Sequence, residues 1–220
     1  MISRAAFVRV LPFAIYMAFI AVADALSRFG LSAEALRWLY PVKIVAVSIV
    51  LVAFWKQYQE LVSVRVQWRS LLLSISAGLL VLWLWIALNA DWMVVGKSAG
   101  FDPRDDGQIN WLLVGIRLFG GAVVVPVMEE LFWRSFLARW IVAQDFEKLA
   151  PAAINCKSFI VSVILFGIEH NLWLAGMVAG GIYSLLYMRT QKLWVPILAH
   201  AVTNGGLGIW ILVTGQWTYW

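Results

Sequence analysis

Val127-Met128-Glu129-Glu130-Leu131-Phe132-Trp133-Arg134 sets two carboxylates and a guanidinium inside a predominantly apolar run that starts near Leu112 and continues to Ala143. Ionisable groups at membrane depth are costly, so they need partners or a function. The run is also long. As one straight helix, Ile109–Ala143 would reach about 50 Å, against a hydrocarbon core of about 30 Å. Gly120-Gly121 and Pro126 are the places where it can kink or break. The stretch therefore reads as one bent crossing, or as two elements with a re-entrant piece.

The rest of the chain has the same character. Of its 220 residues 63% are hydrophobic and 13% charged, with mean hydropathy +0.84. That charged fraction is about half of what a soluble domain carries. The fold class is all-α: a polytopic transmembrane helical bundle forming a single domain over residues 1–220. Candidate spans are Phe7–Leu26, Leu39–Trp55, Leu71–Ala90, Ile109–Ala143, Ser158–Leu172, Leu174–Met188 and Trp194–Val213. This gives about seven crossings, with eight as the alternative. Arg4 and Arg9 before an apolar stretch, with Ala23-Asp24-Ala25 after it, have the outline of a signal peptide. Because further spans follow, retention as the first crossing is expected. The net charge of +5 suits basic cytoplasmic loops, and no basic tract interleaves with aromatics as a nucleic-acid platform requires. The single Cys156 excludes an internal disulfide.

Loop charges set the expected orientation. With seven crossings and a cytoplasmic N-terminus, the inner side gains ten cations, among them Arg4, Arg9, Arg65, Arg139, Lys157 and Lys192. The outer side keeps Arg28, Arg37, Lys43, Lys97 and Arg104. The asymmetry supports a cytoplasmic N-terminus and an outer C-terminus. Asp24 and Lys43, near span ends, read as snorkelling residues. Gly215-Gln216-Trp217-Thr218-Tyr219-Trp220 reads as an interfacial aromatic anchor.

Both histidines lie in apolar spans, His170 after Phe166-Gly167-Ile168-Glu169 and His200 before Ala201-Val202-Thr203-Asn204. Measured from basic residues taken as interface markers, Glu129, His170, His200 and Asn204 lie about 15, 20, 12 and 18 Å deep. Three helices thus bring a carboxylate, two imidazoles and a carboxamide to similar depth. Glu130 and Arg134 are four apart, the favourable order for a pair on one face. Glu129 is rotated about 100° away, which leaves it less directly paired and free to act as a general base. His200 and Asn204 share a face, where two donors could hold a developing oxyanion. Glu169 reads as an interfacial carboxylate at a helix end.

Glu129-Glu130-x-x-x-Arg134, Phe166-x-x-x-His170 and His200-x-x-x-Asn204 resemble, in order, the three motifs of the CAAX protease and bacteriocin-processing (Abi) family of intramembrane endopeptidases. The resemblance covers about residues 120–210. The size of the chain and its Gly215-Gln216-Trp217 ending resemble a bacterial subgroup of CAAX prenyl protease-related proteins associated with exosortase sorting systems. The family resemblance implies hydrolysis of a peptide bond near the terminus of a membrane-associated substrate. Glu129 and His170 would activate water, and His200 and Asn204 would stabilise the oxyanion. Glu130, Arg134 and Phe166 would give structural support. It implies no required cofactor, although a zinc mechanism would use Glu129, His170 and His200 as ligands. Implied partners are a membrane-anchored peptide or protein, the lipid bilayer and a sorting-system protein, with no nucleic acid. The four catalytic candidates are expected to line one cavity open to the cytoplasmic side. Two other classes use the same polar cluster: a non-enzymatic membrane scaffold or chaperone, and a proton-coupled transporter.

Overall fold

Inside lipid a helix satisfies all its backbone groups within one segment, which is what so apolar a chain requires. The computed structural model describes residues 3–62, 67–96, 98 and 100–220, and is helical almost throughout. Arg65 and Lys97, two of the expected orientation markers, lie outside the described residues. The main helices are α1 (Arg4–Arg28), α2 (Leu39–Ala53), α3 (Trp68–Ala87), α4 (Trp111–Trp140), α5 (Cys156–Ile168), α6 (Trp173–Thr190) and α7 (Trp194–Thr214). A helix lies on each of the seven expected spans, but among the described residues only five helices are long and apolar enough to cross a membrane. These are α1, Ala33–Ala53 (which includes α2), α3, α4 and α7. With its 13 residues, α5 reaches only about 20 Å. It pairs with α6 in a tight hairpin, where Gly176 faces Gly167 so closely that a Cβ at Gly176 would lie 3.1 Å from the Gly167 Cα.

Helix α4 is continuous over its 30 residues and does not break at Pro126. It widens instead to i→i+5 bonding over Gly120–Val124, with the Val125 N–H donating to Gly120 O, and again over Leu131–Leu137. The first widening explains how proline is tolerated. In that register the next donor, to Gly121 O, would be residue 126, and proline has no N–H. The Asn204 side chain fills the place, donating from Nδ2 to Gly121 O at 2.9 Å. Such wide turns inside α-helices are frequent at functional sites.

Small residues let α3 and α7 approach closely. A Cβ on Gly78 would meet Ala199 O at 2.5 Å, and one on Gly206 would meet Leu82 Cδ2 at 2.6 Å. Ser74 Oγ donates to Val195 O and Thr203 Oγ1 to Gly78 O, both at 2.9 Å. The connection before α4 is expected from sequence to be loop. It contains a minimal hairpin, β1 (Arg104–Asp105) against β2 (Gln108–Ile109). Asp106 and Gly107 both have positive φ there, as a two-residue hairpin turn requires. Arg37 anchors the hairpin, donating to Arg104 O at 2.7 Å and pairing with Asp105.

The opposite end of the bundle is closed by charge. Arg9 in α1 is 1% exposed and pairs with Glu60 through Nη2 at 2.7 Å and Nε at 2.8 Å. Ser135 also donates to Glu60, and Arg139 Nη2 donates to Ser135 Oγ at 2.8 Å. Arg9 and Arg139, taken from sequence as interface markers, are therefore buried network members. Lys43 is likewise 8% exposed and packs against tyrosines, so it does not snorkel. Asp24 is exposed and pairs with Arg28 at 2.8 Å.

Burial would push the Glu60 carboxyl up, but the hydrogen bond and charge of Arg9, with the Ser135 hydroxyl, carry it below the ordinary carboxylate range. A depressed folded value gives stability that is present above the unfolded carboxylate pKa and is lost as pH falls through the folded one. The thermal stability of the wild-type chain is therefore expected to fall on acidification below about pH 4, and Glu60→Gln to remove that part of the pH dependence. Equal acid sensitivity in the two proteins would show that the pair contributes no linkage.

Candidate active site

Two helices, α4 and α7, and the turn that follows α5 deliver the polar cluster; His170, expected within a span, lies just beyond the end of α5 at Ile168. From α4, Glu130 is 0% exposed and its Oε1 lies 3.1 Å from Arg134 Nη1, one helical turn on. The Arg134 guanidinium is held over the Phe166 ring, 4.3 Å from its centroid, and Nη2 donates to Gly180 O at 3.3 Å. One cation thereby ties α4 to α5 and α6. Glu129, on the next face, is buried, and its Oε2 has no hydrogen-bond partner. Its charged neighbours are Glu169, Glu130 and Arg134.

The hydrogen bonds of the two histidines fix their tautomers. His170 Nδ1 lies 2.7 Å from Phe166 O. A carbonyl can only accept, so Nδ1 carries the proton and a neutral His170 offers a lone pair at Nε2. The ring is further held by Trp85 and Phe166, at centroid distances of 5.2 and 4.8 Å. His200 Nδ1 lies 3.1 Å from Glu130 Oε1, which again places the proton on Nδ1. Tyr183 stacks on the His200 ring at 5.0 Å, and its hydroxyl donates to Thr203 Oγ1 at 2.7 Å. Glu130 is thus more than a partner for Arg134, because it also orients His200.

Glu129, His170, His200 and Asn204 line one cavity of about 210 Å³, together with Phe166 and Tyr183. Glu130 and Arg134 lie behind its wall. Among the described residues no three His, Cys, Asp or Glu side chains come together in a way that could hold a metal ion.

Several wall residues carry no signal in the motifs: Tyr16, Trp85, Arg117, Tyr183 and Trp220. Tyr183 is within reach of the depth count, since it lies on a span between the two histidines. Trp220 is not. Gly215 caps α7 with φ +70°, and the tail turns back so that Trp220 packs against Phe101 at 6.0 Å. Trp217 O accepts from the Phe101 N–H at 3.1 Å. Tyr219 and Trp220 therefore form part of the cavity wall. Glu169, expected at an interface, is instead a charge neighbour of Glu129.

The cavity extends toward the end of the bundle that holds Arg117, Tyr219 and Trp220, away from Arg139, Lys157 and Lys192. With a cytoplasmic N-terminus that end faces outward, so the expected cytoplasmic opening and the expected orientation do not hold together. At the basic end the helices are plugged by Phe13 stacked on Phe132 at 3.9 Å, by Trp133, and by the Arg9–Glu60 network.

Residues 110–206, which contain all three motifs, match the family model described as type II CAAX prenyl endopeptidase Rce1-like. That segment is similar to the CAAX protease family. A relative from Bacillus subtilis (strain 168), named "Putative membrane peptidase YdiL", is 28% identical over 94 residues, which is 41% of this chain and 35% of that protein. The chain thus spans about a third of the length of the curated relative it matches. No solved structure matches significantly. The family segment starts one residue before α4 and ends inside α7, so it takes in every motif residue, while α1–α3 lie outside it.

Proposed function

We propose that the chain is an intramembrane endopeptidase that hydrolyses a peptide bond near the terminus of a membrane-associated substrate, using water activated by Glu129 and His170. One observation carries the proposal. Glu129, with an unpartnered carboxylate oxygen, and His170, with its Nε2 lone pair, line the same buried cavity as His200 and Asn204. In this reading, water attacks the scissile carbonyl carbon while Glu129 takes its proton, with His170 Nε2 accepting a hydrogen bond from the same water. The carbonyl π pair becomes an oxyanion. Asn204 has a second amide N–H besides the one given to Gly121 O, and offers it to that oxyanion. Neutral His200 presents an acceptor at Nε2, so it becomes a donor only as imidazolium, with Glu130 against Nδ1 to hold the charge. The C–N bond then breaks, and Glu129 returns the proton to the leaving nitrogen.

The family match over residues 110–206 and the buried site support a membrane-delivered peptide as substrate. Placement in a bacterial inner membrane and a sorting-system partner belong to the same proposal. The test is quantitative mapping of protein N- and C-termini in membranes containing the wild-type chain or Glu129→Gln, where new wild-type-dependent termini are expected. Incubation of the purified chain with 1,10-phenanthroline or EDTA is expected to change cleavage by less than about twofold, since the route needs only protein groups and water. Loss of cleavage restored by zinc would instead assign Glu129, His170 and His200 to a metal.

A further inference from the structure

A second cavity, of about 640 Å³, lies between α1, the span Ala33–Ala53 and the β1–β2 hairpin. That size falls within the usual range for a small-molecule pocket, about 300–1,000 Å³. Its buried wall includes Tyr40, Lys43 and Phe101, and its exposed rim carries Asp24, Glu34, Asp102 and Asp106. Lys43 is the unusual member, because burying a charge is costly unless it is paired. Among the described residues it has no carboxylate within ion-pair distance, whereas the other two cations of this cavity, Arg37 and Arg104, pair with Asp105 and Asp102. Its ammonium lies 3.8 Å from the Tyr16 ring centroid and 5.0 Å from that of Tyr40. Aromatic faces offset part of the desolvation cost but supply no net negative charge. Its charged neighbour is another cation, Arg117 of the catalytic cavity, which repels it.

We infer that this cavity binds the headgroup of one zwitterionic aminophospholipid, with the phosphodiester at Lys43 and the primary ammonium at the acidic rim. The phosphodiester supplies the negative charge that Lys43 lacks, and a lysine ammonium offers it three donors. A bare anion fits less well, because it must pass four rim carboxylates that repel it. A ligand carrying its own cation turns the same rim into a partner. Asp106, on the hairpin turn, is exposed and among the described residues takes part in no ion pair. A primary ammonium can donate to such a carboxylate, whereas a quaternary choline has no N–H to give. The wall favours a lipid over free phosphate. Phe19, Ile20 and Ala23 line the cavity from α1, a membrane-length helix on which Ile20 is exposed, so acyl chains leaving the cavity continue along an apolar face. The order of charges agrees with depth. Lys43 lies six residues beyond Arg37, about 9 Å farther along its span, while the rim acids sit near helix ends and in the hairpin. Neither Glu129 nor either histidine lines this cavity, so the inference is independent of the peptidase reading.

The test is a lipid titration. The purified full chain in neutral detergent is titrated with phosphatidylethanolamine, phosphatidylcholine or phosphatidylglycerol of matched acyl chains, and bound lipid is counted by native mass spectrometry. One phosphatidylethanolamine is expected to bind at least about tenfold more tightly than either other lipid, the ratio for one charge-assisted contact. Lys43→Gln is expected to weaken its binding by about tenfold, and Lys43→Arg to keep most of it. Asp106→Asn, which tolerates the positive φ of the hairpin turn, is expected to narrow the preference over phosphatidylcholine. Inorganic phosphate is expected to leave the Tm unchanged. Equal binding of phosphatidylglycerol, or a Tm raised by inorganic phosphate alone, shows a plain anion site and overturns the inference. Phosphatidylethanolamine affinity that survives Lys43→Gln, a preference over phosphatidylcholine that survives Asp106→Asn, or no bound lipid at all overturns it too. Folding is read from the Tm of each lipid-free variant. If Lys43→Gln fails to fold, the wild-type ranking of the lipids and the Asp106→Asn comparison decide the matter.

Discussion

Glu129→Gln is expected to leave a folded membrane protein whose cleavage rate is lower by about a thousandfold. The substitution keeps the shape of the side chain and removes only its ability to take a proton, and general-base catalysis typically contributes a factor of about 10² to 10⁴. Stability should barely change, for a structural reason. Glu129 forms no ion pair, its Oε2 has no hydrogen-bond partner, and two of its three charged neighbours are the carboxylates of Glu169 and Glu130. An amide in its place relieves like-charge repulsion and breaks no contact the fold depends on. His170→Ala should slow cleavage by a similar order, with a larger packing cost from the lost contacts to Trp85 and Phe166. The measurements are kcat on a substrate found by termini mapping and Tm of each purified variant. If both variants keep full activity while staying folded, the peptidase reading is wrong. A transporter driven by the same carboxylate would instead lose pH-gradient-dependent flux with no change in any protein terminus.

Much of this arrangement is legible in the amino-acid sequence. Apolar composition and three motif-bearing spans point to a helical membrane bundle, and turn counting brings Glu129, His170, His200 and Asn204 to a common depth because α-helical rise is nearly constant. Other features are illegible for identifiable reasons. Loop cations read as solvated markers, yet Arg9 and Arg139 find Glu60 and Ser135 within the fold, and no local pattern encodes a contact such as Arg9 to Glu60, 51 residues apart. Continuity of α4 through Pro126 depends on Asn204, far along the chain in α7, and on the wide turn at Gly120. The end toward which the cavity extends depends on where the aromatic plug and the returning tail sit, and periodicity carries no information about either. Glu129 and Glu130 separate cleanly because a rotation of about 100° between neighbours is a property of any helix.

That separation leads to the second large effect. Removing Arg134 is expected to destabilise the chain by about 3–5 kcal/mol, because it leaves the Glu130 carboxylate buried and uncompensated. Native stability is of order 5–15 kcal/mol, so Arg134→Met should sharply reduce the amount of folded protein in membranes and lower its Tm. Glu130→Gln should do the same from the other side, stranding the guanidinium between the Phe166 ring and Gly180 O. Replacing both partners removes the unpaired charge, so Glu130→Gln with Arg134→Met should recover most of the lost stability. Activity should not return with it. His200 Nδ1 would then face an amide in place of a carboxylate, and the imidazolium needed at the oxyanion would lose its counter-charge. A double variant that is stable and inactive separates the two duties of Glu130, holding the fold through Arg134 and holding His200 for the chemistry. Full stability in Arg134→Met alone, with activity lost, would place Arg134 in the chemistry and void the assignment of Glu130 and Arg134 to structural support.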